Sequence, residues 1–317
     1  MLLITEAIER SFEAELREAA PDLPRVVLRE SGPDGDPTRV RAAFFSGDCF
    51  PERMRPFWTT LFRAEKLEWL HTFSAGVDHP VFQSLVERGV LLTTSSGAAA
   101  VPIAQTVAMY LLMLSRDAPG WLANQAAHRW APRNIEDLAS QQLVIVGLGP
   151  IGLEVARLGA ALRMRVLGLR RSPRGDEPCE VWPMRRLGEA LERADWLVLA
   201  LPLTDDTRHL VDGAALARLK PGARLVNIGR GELVDEPALI EALRAGRVAG
   251  AALDVFETEP LPQESPLWSL PNVLVTPHSA GTHPGNLERA AHLFLDNLAR
   301  WTRGQPLLNV APRPGTV

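Results

Sequence analysis

A doubly wound α/β architecture in two domains is predicted for this 317-residue chain by three observations. From Gly147 onward, short apolar runs alternate with helical patterns. The runs are nearly continuous in Val, Leu and Ile, as strands covered on both faces require. One of them, Leu143-Val144-Ile145-Val146, opens directly into Gly147-Leu148-Gly149-Pro150-Ile151-Gly152. A weaker form of the same rhythm precedes it, without a glycine motif of its own. We therefore expect a smaller α/β domain over residues 1–97 and 288–317, and a parallel-sheet domain over 98–287.

In chain order, the first domain offers strands at Val40–Phe45, Trp69–Phe73 and Val90–Thr93, with Ser31 to Thr38 as a loop rich in Gly, Pro and Asp. Val101 to Leu114 is the longest apolar run. Interrupted by Pro102 and Gln105, it is too short to span a bilayer and reads as a buried helix. The second domain then offers strands at Val144–Val146, Val166–Leu169, Trp196–Ala200, Arg224–Ile228, Gly250–Val255 and Val273–Thr276. Helical patterns fall between them at Leu153–Leu162, Arg186–Arg193, Gly213–Leu219 and Glu236–Ala245. A last helix, Asn286–Trp301, returns the chain to the first domain. A cleft between the domains is the expected place for a substrate.

Composition excludes some roles. The chain is 46% hydrophobic with a net charge of −4, which gives no reason to expect nucleic acid or a membrane surface as partner. Cys49 and Cys179 stand far apart without metal spacing, and Met1 to Arg10 lacks an apolar signal region. Both point to a reducing, cytoplasmic setting and to no metal.

The glycine motif has a specific chemistry. Gly147 allows the tight turn, Gly149 lets the backbone approach a pyrophosphate, and Gly152 lets helix and strand pack closely. With Pro150 and Ile151 opening the helix, free N–H groups and the helix dipole favour an anion there. This is the fingerprint of a Rossmann-type dinucleotide domain. Where an Asp or Glu usually holds the ribose hydroxyls, after the second strand, this chain reads Arg170-Arg171-Ser172. Cations and a hydroxyl suit a 2′-phosphate, so NADPH is expected over NADH, with NADH possible.

Three later segments each end a strand with one reactive side chain: Arg230 in Asn227-Ile228-Gly229-Arg230-Gly231, Glu259 in Asp254-Val255-Phe256-Glu257-Thr258-Glu259-Pro260, and His278 in Pro277-His278-Ser279-Ala280-Gly281. Ligands of open α/β sheets bind outside the carboxyl ends of strands, so the three are expected to converge. Together with Ser74-Ala75-Gly76-Val77-Asp78-His79 and Ala200-Leu201-Pro202-Leu203-Thr204 with Thr207, these ordered motifs resemble the D-isomer-specific 2-hydroxyacid dehydrogenases over nearly the whole chain.

The resemblance implies a flavodoxin-like α/β substrate domain and a dehydrogenase chemistry. A nicotinamide cofactor would supply the hydride. His278 is similar to the family's acid/base, protonating the carbonyl oxygen as alkoxide develops. Glu259 is similar to the carboxylate that orients that imidazole and favours its protonated form. Arg230 offers a bidentate fork for the substrate carboxylate, with the Gly76 and Val77 amides as a second hold. Leu201, Pro202, Thr207, Ile228, Gly229, Asp254, His278, Ala280 and Gly281 join the glycine loop as cofactor-binding positions. The implied partner is a small 2-keto acid, and the implied assembly a homodimer built on the Val101–Leu114 helix.

The basic ribose site and the single-module length resemble the NADPH-dependent glyoxylate/hydroxypyruvate reductase branch. Nothing remains past about residue 310 for an added regulatory domain, which counts against phosphoglycerate dehydrogenases. Glu259 replaces the Gln of formate dehydrogenases. Alternatives are an NAD-dependent D-2-hydroxyacid dehydrogenase of other substrate preference and a dinucleotide-sensing, corepressor-like binding protein.

Three positions depart from the family pattern: Arg170 for the usual acid, Gln105 for a Glu, and Arg163 for a glycine, where a differently built loop is expected. His71, His79 and His209 are given no catalytic role. Trp58, Trp121, Trp130 and Trp268 are expected to be packed rather than cleft-lining, and Arg133 is a lesser candidate for substrate contact.

Overall fold

The computed structural model describes residues 1–133 and 135–311, so that 312–317 of the expected first-domain range lie outside the described residues. Two compact units result, Met1–Ala98 together with the chain from His283, and Ala99–Thr282.

In the first unit β1 (Leu2–Thr5), β2 (Arg25–Arg29), β3 (Gly32–Asp34), β4 (Ala42–Phe45), β5 (Trp69–Thr72) and β6 (Leu91–Thr94) form one sheet in the order β3-β2-β1-β4-β5-β6. The β2–β3 pair is an antiparallel hairpin. Its second strand, β3, lies inside the stretch expected to be loop, where Gly32 takes a left-handed φ of +114°. Setting β3 aside leaves the flavodoxin-like order 2-1-3-4-5. The sequence reading passed over β1 and β2. Each offers only three or four apolar residues, at the short end of strand length. Helices α1 (Glu6–Ser11), α2 (Glu13–Ala19), α3 (Met54–Leu61) and α4 (Pro80–Glu87) complete this part of the unit.

His71 on β5 is fully buried. The Ser95 hydroxyl donates to the Thr72 carbonyl at 2.9 Å. It can therefore only accept from His71 Nε2, 3.0 Å away. Nδ1 then accepts from Thr93 Oγ1 at 2.7 Å, which itself accepts from Trp69 Nε1 at 2.8 Å. Every polar atom of a neutral imidazole is satisfied, and burial pushes its pKa down to about 3. The histidine serves the fold, as its lack of a catalytic motif suggested.

The second unit begins with α5 (Ala100–Ser115) and α6 (Ala118–Ala126). The strands β7 (Gln142–Val146), β8 (Arg165–Arg170), β9 (Glu180–Pro183), β10 (Trp196–Leu199), β11 (Arg224–Asn227), β12 (Gly250–Leu253) and β13 (Val273–Val275) follow, with α7 (Pro150–Ala161), α8 (Leu187–Leu191), α9 (Gly213–Arg218) and α10 (Glu236–Arg244) between them. The sheet order is β13-β12-β11-β10-β7-β8-β9, and every pairing is parallel. Apolar clusters cover both faces, one around Val146, Leu199 and Leu225, the other around Ile145, Val198 and Val226. The order reverses between β7 and β10, which places the ligand crevice of such a sheet at their carboxyl ends.

Two details differ from expectation. The helix α5 is buried on one face only, through Val107, Tyr110 and Leu111, while Val101, Met109 and Leu112 are exposed. The edge strand β9 was not foreseen, because it is short and ends in Pro183; a missing N–H is harmless on an edge.

Arg163 ends α7 with φ +59°. Its N–H reaches the Ala160 carbonyl at 2.9 Å and the Met164 N–H the Gly159 carbonyl at 3.0 Å, a Schellman closure. The loop is thus not rebuilt: arginine adopts the left-handed conformation that a glycine would take. The chain finally returns to the first unit in α11 (Asn286–Thr302), where Phe294 stacks on Phe44 at 4.4 Å.

Candidate dinucleotide and catalytic site

The carboxyl ends of the second unit's strands carry the site, beginning with three glycines that serve three purposes. Gly147 turns at φ +102°, and a Cβ there would stand 2.7 Å from the Ala200 carbonyl oxygen. A Cβ on Gly152 would lie 2.0 Å from the Gly147 carbonyl oxygen, so its bareness lets α7 press against the end of β7. Gly149 is different. A Cβ there would meet nothing within 4 Å, and φ −76°, ψ −172° is open to any residue. No protein packing demands this glycine. It leaves clear the space before the first turn of α7, where Pro150 and Ile151 begin the helix and no side chain caps it. Helix N–H groups and the macrodipole face that space, so the residues present fit a pyrophosphate.

Beside the loop lies a cavity of about 470 Å³, bounded in part by Gly147, Gly149, Arg170, Arg171, Ser172 and Arg174. Leu201, Pro202 and Thr207 close its other side. The Thr207 hydroxyl donates to the Pro202 carbonyl at 2.9 Å and accepts the Thr204 N–H at 2.7 Å, which folds that loop back under the cavity. Arg170 lines the cavity, but its Nη1 is engaged at 2.9 Å by Glu177.

At the end of β11, the buried Asn227 side chain accepts from Gly229 N at 3.1 Å and donates to the Arg230 carbonyl at 2.8 Å. Arg230 Nη1 donates to the Gly229 carbonyl at 2.7 Å, so the guanidinium is held over its own turn. Ile228 is buried, and a Cβ on Gly229 would meet the Leu201 carbonyl oxygen at 2.8 Å.

The ends of β12 and β13 bring Glu259 and His278 together. Glu259 Oε2 lies 2.8 Å from His278 Nδ1, and Oε1 accepts the Phe256 N–H at 3.1 Å. A carboxylate only accepts, so Nδ1 carries the hydrogen and Nε2 takes no part in the pair. His278 itself sits at φ +49°, a conformation worth about 1–2 kcal/mol of strain for a non-glycine residue. Asp254 holds it there. Its buried carboxylate accepts from Thr276 Oγ1 at 2.5 Å, Ser279 N at 2.9 Å and Ala280 N at 3.0 Å, and its carbonyl takes the His278 N–H at 2.8 Å. Tyr110 in turn bonds Thr276. A Cβ on Gly281 would touch Ile103 at 3.3 Å, which keeps this loop against α5.

Asp254, expected as a cofactor position, has a side chain that builds the loop carrying His278. Asn227 was missed, although a lone Asn closing an apolar strand is a usable signal. Gly76 and Val77 belong to the first unit, in the segment between β5 and α4, where Ser74 Oγ donates to the Gly76 carbonyl at 2.8 Å. Arg133 pairs with Asp117, which supplies a structural use for it. The tryptophans largely contradict the packing expectation: Trp130 is 98% exposed, and Trp121 and Trp268 are about half exposed. Apolar character predicts a preference for burial, but which element covers a loop residue is a tertiary matter.

A parallel sheet with a glycine-turned helix N-terminus at its switch point, and an imidazole–carboxylate pair on the same edge, defines a dinucleotide-dependent oxidoreductase. The chain belongs to the D-isomer specific 2-hydroxyacid dehydrogenases: residues 108–280 match that family's NAD-binding domain. Among curated relatives, D-3-phosphoglycerate dehydrogenase of Methanocaldococcus jannaschii is 31% identical over 256 residues, 80% of this chain but only 49% of that protein. Glyoxylate/hydroxypyruvate reductase B of Pectobacterium atrosepticum is 37% identical over 76% of this chain and 78% of its own. A solved family member from Xanthobacter autotrophicus, in complex with NADPH, superposes with a TM-score of 0.82 at 33% identity, covering 98% of this chain and 97% of the other. The NADPH-dependent glyoxylate/hydroxypyruvate reductase of Sinorhizobium meliloti, in complex with NADP, gives 0.80 at 30%, covering 98% of both. No helix among the described residues is long and apolar enough to cross a membrane, and no group of three or more metal-ligating side chains occurs among them.

Proposed function

We propose that this protein is an NADPH-preferring reductase of small 2-keto acids of the glyoxylate or hydroxypyruvate type, giving D-2-hydroxy acids. One observation carries the reading: the Glu259–His278 contact of 2.8 Å, which fixes the tautomer and leaves Nε2 available. Bound nicotinamide supplies a hydride to the carbonyl carbon. Protonated His278 donates from Nε2 to the carbonyl oxygen while Glu259 stabilises the imidazolium as it forms and is consumed. Arg230 offers the bidentate clamp for the carboxylate. The preference for NADPH is supported by Arg171, Ser172 and Arg174 at the cavity, and by the relatives that carry that cofactor.

The apolar residues exposed on α5 support a homodimer, and the two free cysteines are compatible with a reducing cytoplasm. The test is NADPH and NADH oxidation at saturating glyoxylate, hydroxypyruvate, pyruvate and phenylpyruvate. A larger kcat/KM with NADPH for the two smaller polar acids is expected; an absence of turnover with all four would leave the corepressor-like alternative standing.

A further inference from the structure

The segment after β8 is organised by an acid that no motif singled out. Glu177 has a side chain only 3% exposed. Its Oε1 accepts the Arg174 N–H at 2.8 Å and Arg170 Nη1 at 2.9 Å, and its Oε2 accepts the Gly175 N–H at 2.8 Å. The Arg174 amide above all, then those of Gly175 and Glu177 itself with the Arg170 guanidinium, outweigh burial and hold the carboxyl down at about 2. It is therefore ionised at every working pH. Glu177 is not part of the cavity wall, whereas Arg170, Arg171, Ser172 and Arg174 are. Of these, Arg171, Ser172 and Arg174 are exposed, and Arg170 is only 16% exposed and turned to Glu177.

We propose that Glu177 is a positioning residue for cofactor selectivity: with Arg170 it straps residues 171–177 into a loop that presents Arg171, Ser172 and Arg174 to a 2′-phosphate. The proposal rests on the NADPH reading above and deepens it. It reassigns Arg170 from direct ligand to the strap's internal counter-ion. The opposing view is simple electrostatics, in which an acid close to a phosphate site weakens dianion binding, so its removal tightens binding. The strap gives the opposite sign, because a released loop no longer holds its cations in place. Orientation then outweighs net charge, since a flexible arginine must be ordered again on binding.

The experiment is equilibrium binding of NADP⁺ and NAD⁺ by calorimetry, without substrate, on wild type, Glu177→Ala, Glu177→Gln and Arg170→Ala/Glu177→Ala. Glu177→Ala is expected to weaken NADP⁺ roughly tenfold or more, the scale of a lost charge-assisted contact, with NAD⁺ within about twofold. Glu177→Gln keeps one carbonyl acceptor for an amide and should fall between, which also serves if the alanine variant does not fold. The double variant should be no worse than Glu177→Ala alone. Equal wild-type affinity for NADP⁺ and NAD⁺ rejects the NADPH reading and the strap with it. A wild-type preference that Glu177→Ala leaves intact or increases overturns the strap alone, and a parallel loss of NAD⁺ reduces it to general stability. A further tenfold loss in the double variant makes Arg170 a direct ligand.

Discussion

Replacing Gly149 with Ala separates what the fold needs from what the ligand needs. A methyl group there meets no protein atom within 4 Å, and φ −76°, ψ −172° is allowed for alanine. Two small effects on stability oppose each other. Loss of glycine's freedom in the unfolded chain stabilises by about 0.4–1 kcal/mol, while alanine is a poorer N-cap than glycine by a comparable amount. The melting temperature should therefore move by no more than about 3 °C. The bound pyrophosphate is another matter, because the methyl fills the space it needs and breaks contacts to the α7 amides. Loss of one charge-assisted hydrogen bond, about 1.5–3 kcal/mol, weakens NADPH roughly ten- to a hundredfold. Gly152→Ala is the control: its Cβ would lie 2.0 Å from a backbone oxygen, so the end of β7 must shift. Stability should fall by about 1–3 kcal/mol or more. Calorimetric melting with fluorescence titration of NADPH reads both quantities. A Gly149→Ala protein that binds NADPH as wild type does, or melts as early as Gly152→Ala, refutes the reasoning.

Four further outcomes follow from the same geometry. His278→Ala should lower kcat for keto-acid reduction on the order of 10²–10⁴-fold with NADPH affinity nearly unchanged; near-normal turnover ends its assignment as proton donor. Arg230→Lys keeps the charge but loses the fork, so kcat/KM for the keto acid should drop by roughly 2 kcal/mol or more while an aldehyde lacking the carboxylate is little affected; equal losses point to a role in the fold. His71, near 6.5 when unfolded and about 3 when folded, leaves the unfolded state holding the extra proton between those values. Stability should thus fall with pH from about 6.5 toward 3, and His71→Gln should flatten that limb by up to ~1.4 kcal/mol per pH unit; an unaltered slope in acid denaturation contradicts the neutral network. Arg163→Gly relieves a left-handed arginine and should raise stability by about 0.5–1 kcal/mol in urea unfolding, whereas a loss shows that the side chain contributes more than the strain.

The chain's periodicity determined every strand of the second unit's sheet except the short edge strand β9, because strands buried on both faces must be apolar along most of their length. The glycine spacing marked the turn out of β7, where Gly152 answers a steric demand five residues back and Gly149 leaves open the space before α7. Arg230, Glu259 and His278 are likewise legible in sequence, each following the end of an apolar strand. Other features depend on partners far along the chain. Asp254 is singled out in sequence only as a cofactor position; that its carboxylate gathers the Thr276, Ser279 and Ala280 groups more than 20 residues away shows only in the fold. Glu177 looks solvated in a charged stretch, yet it is nearly buried and captures Arg170. The exposure of Trp130 and of one face of α5 is equally unreadable from composition. Local patterns record a residue's preference for water, helix or strand; which long-range partner satisfies a polar atom, and what covers an apolar one, is decided only when the whole chain has packed.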